Sequence, residues 1–181
     1  MTRTKLGLSM KKLFLRGAVL ATAFAMTSAL PTASSAATAD VVEFSGYAAG
    51  TIIVKTSERR LYYVLDEHHA RRFPVGVGKE GMTWTGKARI EAKFIRPAWG
   101  PPSVIRRDNP RLPAVIPGGS PNNPMGDAAL TMRGGVYAIH GTNKPSSIGG
   151  FVSYGCIRMY NQDIRDLYRL VRVGTPVIVE E

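Results

Sequence analysis

The sequence predicts one mainly β domain of sandwich type with a single main helix, and three observations carry that expectation. Short runs rich in β-branched and aromatic residues recur between turn signals from residue 51 to residue 95. A helical apolar spacing stands out after Asn161, where Ile164, Leu167, Tyr168 and Val171 form one stripe. Residues 97–126 hold eight of the chain's twelve prolines and four of its glycines, which forbids long regular elements there.

Residues 1–39 are set aside before the fold is read. Arg3, Lys5, Lys11 and Lys12 precede an apolar run from Gly17 to Leu30, then Pro31 and small residues, the pattern of a signal peptide. Ala37, Thr38 and Ala39 match a small-x-small cleavage site, so the mature chain is expected to start at Asp40, with cleavage after Ala36 as the alternative. The run is shorter than the ~20 apolar residues of a membrane-spanning helix, and no cysteine near the cleavage point offers a lipid anchor. Met10 is an alternative start. The expected location is the periplasm or cell envelope. Residues 40–181 make one catalytic-size domain of 142 residues.

Within that domain, residues 51–55, 61–65 and 72–77 read as three strands, with 66–70 as a tight connection carrying His68 and His69. Two adjacent histidines, with His140 far off in sequence, do not assemble a metal site, so this turn is read as solvated. Residues 87–95 alternate, with Ala88, Ile90, Ala92 and Phe94 on one side, and predict one further strand. An irregular excursion as long as 97–126 inside a single domain is usually a lid or substrate-binding loop. Residues 136–140 form a short apolar strand closed by Gly141, with Val136, Ala138 and His140 on one face and the imidazole at the strand end. Asn161 is the expected N-cap of the helix, Asp163 suits its positive start, Gly174 stops it, and residues 176–179 make a final strand.

Residues 1–39 hold five basic and no acidic residues, which leaves 19 basic against 13 acidic, a net charge of +6. A basic surface attracts anionic polymers. Nucleic acid is the first such partner that charge suggests, but export argues against it, the mature basic residues are scattered in pairs such as Arg59 with Arg60 and Arg106 with Arg107, and no nucleic-acid motif is present. Anionic cell-wall material fits better, beside the plainer reading of a solvated basic surface.

Cys156 is the chain's single cysteine, so it has no internal disulfide partner. Such a thiol is often a small buried hydrophobe. Sixteen residues before it stands His140, and that pairing suggests a nucleophile with its base. A free thiol is mostly protonated near neutral pH; an imidazole within reach takes the proton, stabilises the thiolate and later protonates a leaving amine. Backbone amides around Gly155 and Cys156 are candidates to face the oxyanion of a tetrahedral intermediate.

The run Tyr137, Ala138, Ile139, His140, Gly141, Thr142, followed by Ser153, Tyr154, Gly155, Cys156, Ile157, Arg158, Met159 and then Asn161 and Asp163, resembles the signature of the YkuD-type L,D-transpeptidase family. The likeness extends to Leu61 and Tyr62, to residues 121–126 and to residues 174–179. It implies a β-sandwich of mixed sheets with a long Pro/Gly-rich loop, and an enzyme without metal or cofactor. By resemblance Cys156 is the nucleophile, His140 the general acid/base, and the Gly141 backbone carbonyl orients the imidazole. Ser153, Tyr154, Gly155, Arg158 and Tyr137 are substrate-binding candidates. For Arg158 a structural ion pair or a carbonyl contact is the competing reading; for Tyr137 and Trp99 it is core packing or loop anchoring. The implied substrates are peptidoglycan stem tetrapeptides: Cys156 displaces terminal D-alanine as a thioester, and the side-chain amine of a second stem forms a 3→3 cross-link. A wall-anchored protein is a second kind of acceptor, and water would make the chain an L,D-carboxypeptidase or amidase. Papain-like peptidases and sortases fit the order or spacing of the two residues poorly, and a silent wall-binding module has no need of them. Two departures stand out. Many members carry histidine where this chain has Tyr154, and many carry Thr-Pro where it reads Met82, Thr83, Trp84, Thr85, Gly86.

Overall fold

Strand pairing sorts the described residues of the computed structural model, 39–181, into two principal sheets and a small third one. The expected signal peptide, except for Ala39, lies outside the described residues. In chain order the elements are β1 (Asp40–Glu43), β2 (Ile52–Lys55), β3 (Arg60–Val64), β4 (His69–Pro74), β5 (Val77–Gly78), β6 (Gly86–Arg89), β7 (Ala92–Ile95), α1 (Ser103–Asp108), β8 (Ala128–Met132), β9 (Tyr137–His140), β10 (Phe151–Ser153), β11 (Ile157–Arg158), α2 (Asn161–Leu170) and β12 (Pro176–Glu180). The larger sheet runs β1-β4-β3-β2-β12-β6, the second β11-β9-β8-β7, and β10 pairs with β5. Both principal sheets are mixed: β12 is parallel to β2 and β11 to β9, while their other pairings are antiparallel. The fold is therefore mainly β with mixed sheets and few helices.

One hydrophobic core joins Ile52, Val54, Leu61 and Phe73 of the larger sheet to Leu130, Met132 and Ile139 of the second and to Ile164 and Leu167 of α2. All are fully buried, and each such side chain stabilises the fold by about 1.5–3 kcal/mol. A second cluster, with Ile53, Tyr62, Val64 and Ala70, buries the opposite face of the larger sheet beneath Val42, Phe44 and Tyr47. This is why three successive residues of β2 are apolar: the strand is covered on both faces.

The strand expected over 87–95 is two strands serving different sheets. β6 pairs with β12 and β7 with β8, and the chain crosses between sheets at Ile90 and Glu91, whose amides bond Thr175 O (2.9 Å) and Thr131 O (2.8 Å). Ile90 is buried, but Phe94 is exposed, so the alternation expected across the whole run breaks at the crossover. The strand expected over 72–77 is β4, which starts earlier, followed after a break by β5; His69 lies in β4 and its Nδ1 approaches Asp66 Oδ1 at 3.0 Å.

The helix also differs from expectation at both ends. Tyr160, not Asn161, is the N-cap residue; Asn161 is already helical and its side chain reaches across to the second sheet. The helix ends at Leu170, before Gly174, because Lys93 of β7 donates to the Tyr168 and Val171 carbonyls (2.6 and 2.5 Å), supplying donors and positive charge at the C-terminus. Gly174, at φ +89°, instead turns the chain into β12.

The excursion 97–126 is irregular apart from the six-residue α1. Reciprocal bonds between Trp99 and Ile116 (2.9 and 2.8 Å) close its neck. Buried Asn123 knits the interior, donating to the carbonyls of Pro97, Ile116 and Pro117 and accepting from Met125 N. Among the described residues no helix is long and apolar enough to cross a membrane.

Candidate active site

The parallel pairing of β9 with β11 brings the two candidate groups together. Ile157 lies opposite Ile139 and Arg158 opposite His140, and Met159 N bonds His140 O at 2.8 Å. Cys156, one residue before β11, enters beside Ala138, since Ile157 lies opposite Ile139 in the parallel register. Ala138 and His140 share a face of β9, so thiol and imidazole approach from neighbouring strand positions.

His140 is 4% exposed, and its Nδ1 lies 2.7 Å from the Gly141 carbonyl. A carbonyl only accepts, so Nδ1 carries the proton and Nε2 keeps its lone pair. Burial, then the Arg158 charge, push the imidazole pKa down to about 4, against the opposing pull of the Gly141 and Pro124 carbonyls. The Cys156 thiol is pushed up by burial, partly relieved by the Ala138 backbone and Arg158. Near neutral pH the resting pair is thus a neutral thiol beside a neutral imidazole. Any thiolate at this site therefore forms by passing its proton on, and the lone pair of His140 Nε2 is the expected acceptor.

Gly141 is glycine for a spatial reason. A Cβ there would lie 2.2 Å from Asn161 Oδ1, the atom that accepts from Asp127 N (3.2 Å) and Thr142 N (3.0 Å). Asn161 Nδ2 returns a bond to Thr142 O (3.1 Å), so the start of α2 is tied to the chain just past the imidazole.

Ser153 and Gly155 shape the loop that delivers the thiol. The Ser153 hydroxyl donates to Cys156 O (2.5 Å) and accepts from Gly155 N (3.1 Å), and the residue is 1% exposed. Its hydrogen bonds are used inside the loop, so this geometry makes Ser153 a positioning residue where a substrate contact was expected. The Gly155 amide is likewise committed, which removes it from the expected oxyanion donors and leaves the Cys156 amide, unbonded among the described residues. Gly155 has φ +109°, and the Tyr137 ring packs directly on it, at 2.6 Å from where a Cβ would stand. Tyr137 is therefore a support behind the loop, the competing reading for that side chain.

Tyr154 points the other way: its hydroxyl donates to Asp108 Oδ2 (2.7 Å) at the end of α1, and Lys79 Nζ sits 4.0 Å from its ring centroid. This bond pins the 97–126 excursion beside the thiol loop. Arg158 is half-buried; its backbone pairs with Gly76 in both directions (2.9 and 2.8 Å), while its guanidinium makes no ion pair among the described residues and Nε is buried without a partner. The structural ion pair weighed for Arg158 is absent among those residues. The roles of Trp84, Asp108 and Asn161 escaped the sequence reading because each acts through a partner distant in sequence, and that of Asn123 because its bonds depend on how the irregular excursion folds on itself.

Fold and site together define a class: a mixed-sheet sandwich domain in which paired parallel strands set one cysteine beside one buried, carbonyl-oriented histidine. The family model of the YkuD L,D-transpeptidase catalytic domain matches residues 49–179, and the chain belongs to that family, an acyltransferase class. It is 42% identical over 135 residues to the probable L,D-transpeptidase YbiS of Escherichia coli K12, covering 70% of this chain and 43% of that protein. It is 35% identical over 137 residues to the putative L,D-transpeptidase YqjB of Bacillus subtilis, covering 72% of this chain and 70% of that one. The chain thus spans less than half the length of YbiS. In structure it is similar to L,D-transpeptidase 3 of Mycobacterium tuberculosis, with a TM-score of 0.61 at 18% identity over 72% of this chain and 60% of the other, a likeness of fold.

Proposed function

We propose that this chain is an exported L,D-transpeptidase that forms 3→3 cross-links in peptidoglycan through a Cys156 thioester. The carrying observation is the buried His140, whose Nδ1–H bond to Gly141 O leaves Nε2 free to accept a proton beside the Cys156 strand. Cys156 Sγ attacks the carbonyl carbon between the L-centre of the stem's third residue and terminal D-alanine, its proton passing to His140. The Cys156 N–H faces the developing oxyanion. The amide C–N bond breaks, His140 protonates the leaving D-alanine amine, and a thioester remains. The side-chain amine of a second stem then attacks, yielding its proton to His140 and releasing the thiol. The unpaired guanidinium of Arg158 fits a substrate carboxylate. Action on the wall requires export, and cleavage after Ala39 is part of this reading.

The test incubates the mature protein with defined tetrapeptide muropeptides and reads products by mass spectrometry. Dimers lacking one D-alanine are expected from the wild type and from neither Cys156→Ala nor His140→Ala. Tripeptide monomers alone would assign the water-accepting reaction instead, and N-terminal sequencing of protein from the periplasm checks for Asp40. An added wall protein with a free lysine reveals a protein acceptor.

A further inference from the structure

Trp84 lies on the segment between β5 and β6, 71 residues from the thiol loop, yet its indole Nε1–H donates to Gly155 O at 3.0 Å. That carbonyl belongs to the same peptide unit as the Cys156 amide. In a planar trans peptide C=O and N–H point in opposite directions, so fixing the carbonyl on Trp84 fixes the Cys156 N–H on the side away from it. Among the described residues no peptide bond is cis. The next peptide unit is held as well, by Ser153 Oγ on Cys156 O. Cys156 is therefore clamped on both sides by side-chain donors.

Trp84 is itself immobilised. Its ring stacks on Tyr137 at 4.9 Å and 16°, the Arg133 guanidinium covers it at 4.7 Å, and Tyr137 lies against Gly155. A donor held in a stack loses little freedom when it bonds, and a hydrogen bond to a carbonyl strengthens the N–H at the other end of the same amide. We infer that Trp84 is a positioning residue for acyl transfer: through the Gly155 carbonyl it aims and polarises the Cys156 amide as the oxyanion donor. This rests on the acyl-transfer reading of the preceding section.

The test separates a reaction that develops an oxyanion from one that does not. With a carbapenem, the thiolate adds to the lactam carbonyl carbon, the C–N bond breaks, and the ring nitrogen takes the proton carried by His140. Iodoacetamide alkylates the same sulfur by displacing iodide, with no oxyanion. Trp84→Phe keeps an aromatic stack and loses the N–H. It is expected to lower the limiting acylation rate about tenfold, part of the effect of deleting an oxyanion donor outright. The half-saturating concentration and the rate and pH profile of alkylation stay within twofold of wild type. A 3-benzothienylalanine at position 84, which keeps the indole shape without the N–H, is expected to show the same fall and covers the case of a poorly folded Trp84→Phe. Acylation within twofold of wild type in the benzothienyl protein overturns the inference, as does a parallel fall in acylation and alkylation. A wild type that is alkylated but never acylated overturns instead the function reading on which it rests.

Discussion

Replacing Gly155 by alanine tests the geometry of the thiol loop in a way that can be separated into parts. At φ +109° an alanine is strained, at a cost of about 1–3 kcal/mol. Its Cβ would stand 2.6 Å from Tyr137 Cε1 and 3.2 Å from Met82 O, whereas carbon atoms settle about 3.5–4.0 Å apart, so the ring must retreat by about 1 Å. Tyr137 cannot retreat freely, because Trp84 stacks behind it. Forced overpacking adds about 1–3 kcal/mol, for a total of about 2–6 kcal/mol. At about 3–4 °C per kcal/mol for a domain this size, the midpoint falls by about 6–24 °C. Urea unfolding followed by circular dichroism measures the cost directly. Gly134→Ala is the control: φ is +66°, nothing lies within 4 Å, and about 1 kcal/mol is expected. In a Tyr137→Ala background the ring clash is gone, so Gly155→Ala should cost about 1–3 kcal/mol less than in the wild type, a coupling readable in a double-mutant cycle. A coupling within about 0.5 kcal/mol of zero would refute the claim that Tyr137 supports the loop by direct contact.

Four further outcomes are expected. Because burial holds the Cys156 thiol above its ordinary pKa and His140 down to about 4, the iodoacetamide rate of Cys156 should climb steadily from pH 6 to 9; a plateau near pH 6 would reveal a preformed ion pair and contradict the neutral resting state. Between about pH 6.5 and 4 the unfolded chain takes a proton that folded His140 refuses, so this residue's stabilisation is present above pH 6.5 and lost toward pH 4, amounting to about 3 kcal/mol. Asp163, raised to about 6 by burial and then Asp166, acts in the opposite sense, so the comparison belongs in an Asp163→Asn background, where His140→Gln should flatten the fall of the midpoint with pH; equal slopes would reject the assignment. Tyr154→Phe removes the bond to Asp108 and should speed tryptic cleavage at Arg106 and Arg107 severalfold, with unchanged cleavage speaking against a pinned excursion. Asn161→Ala deletes three hydrogen bonds that tie α2 to Asp127 before β8 and Thr142 after β9 and should lower urea stability by about 2–3 kcal/mol; a loss under about 0.5 kcal/mol would mean that water replaces them.

What could be read from the sequence was whatever depends on near neighbours. The runs 51–55, 61–65, 136–140 and 176–179 overlap β2, β3, β9 and β12, because β-branched and aromatic residues between turns report a half-buried or buried strand locally. The helical stripe held for Ile164, Leu167 and Val171, all buried. β8 was missed although it lies at the centre of the second sheet: Ala128, Ala129 and Leu130 are buried in succession and show no alternation. β10 and β11, of three and two residues, are too short to leave a periodic signal. At the site, the His-Gly and Ser-x-Gly-Cys segments were visible as letters. Why the letters are needed was not: the Ser153 hydroxyl is used twice inside its own loop, and Gly141 leaves room for an asparagine 20 residues later. Neither Trp84 nor Asp108 could be linked to Cys156 without the crossing of the chain from one sheet to the other.

The place of β12 in the larger sheet governs when this molecule can become itself. It lies between β2 and β6, parallel to one and antiparallel to the other, yet it is made after every other described strand. Until residues 176–180 arrive, β2 and β6 face each other across a missing strand, and Ile52 and Val54 lack the cover of Val177 and Val179. Without β12 the larger sheet is two incomplete halves with unpaired edges. Closure of the larger sheet, and of the core beneath it, therefore waits on this one strand.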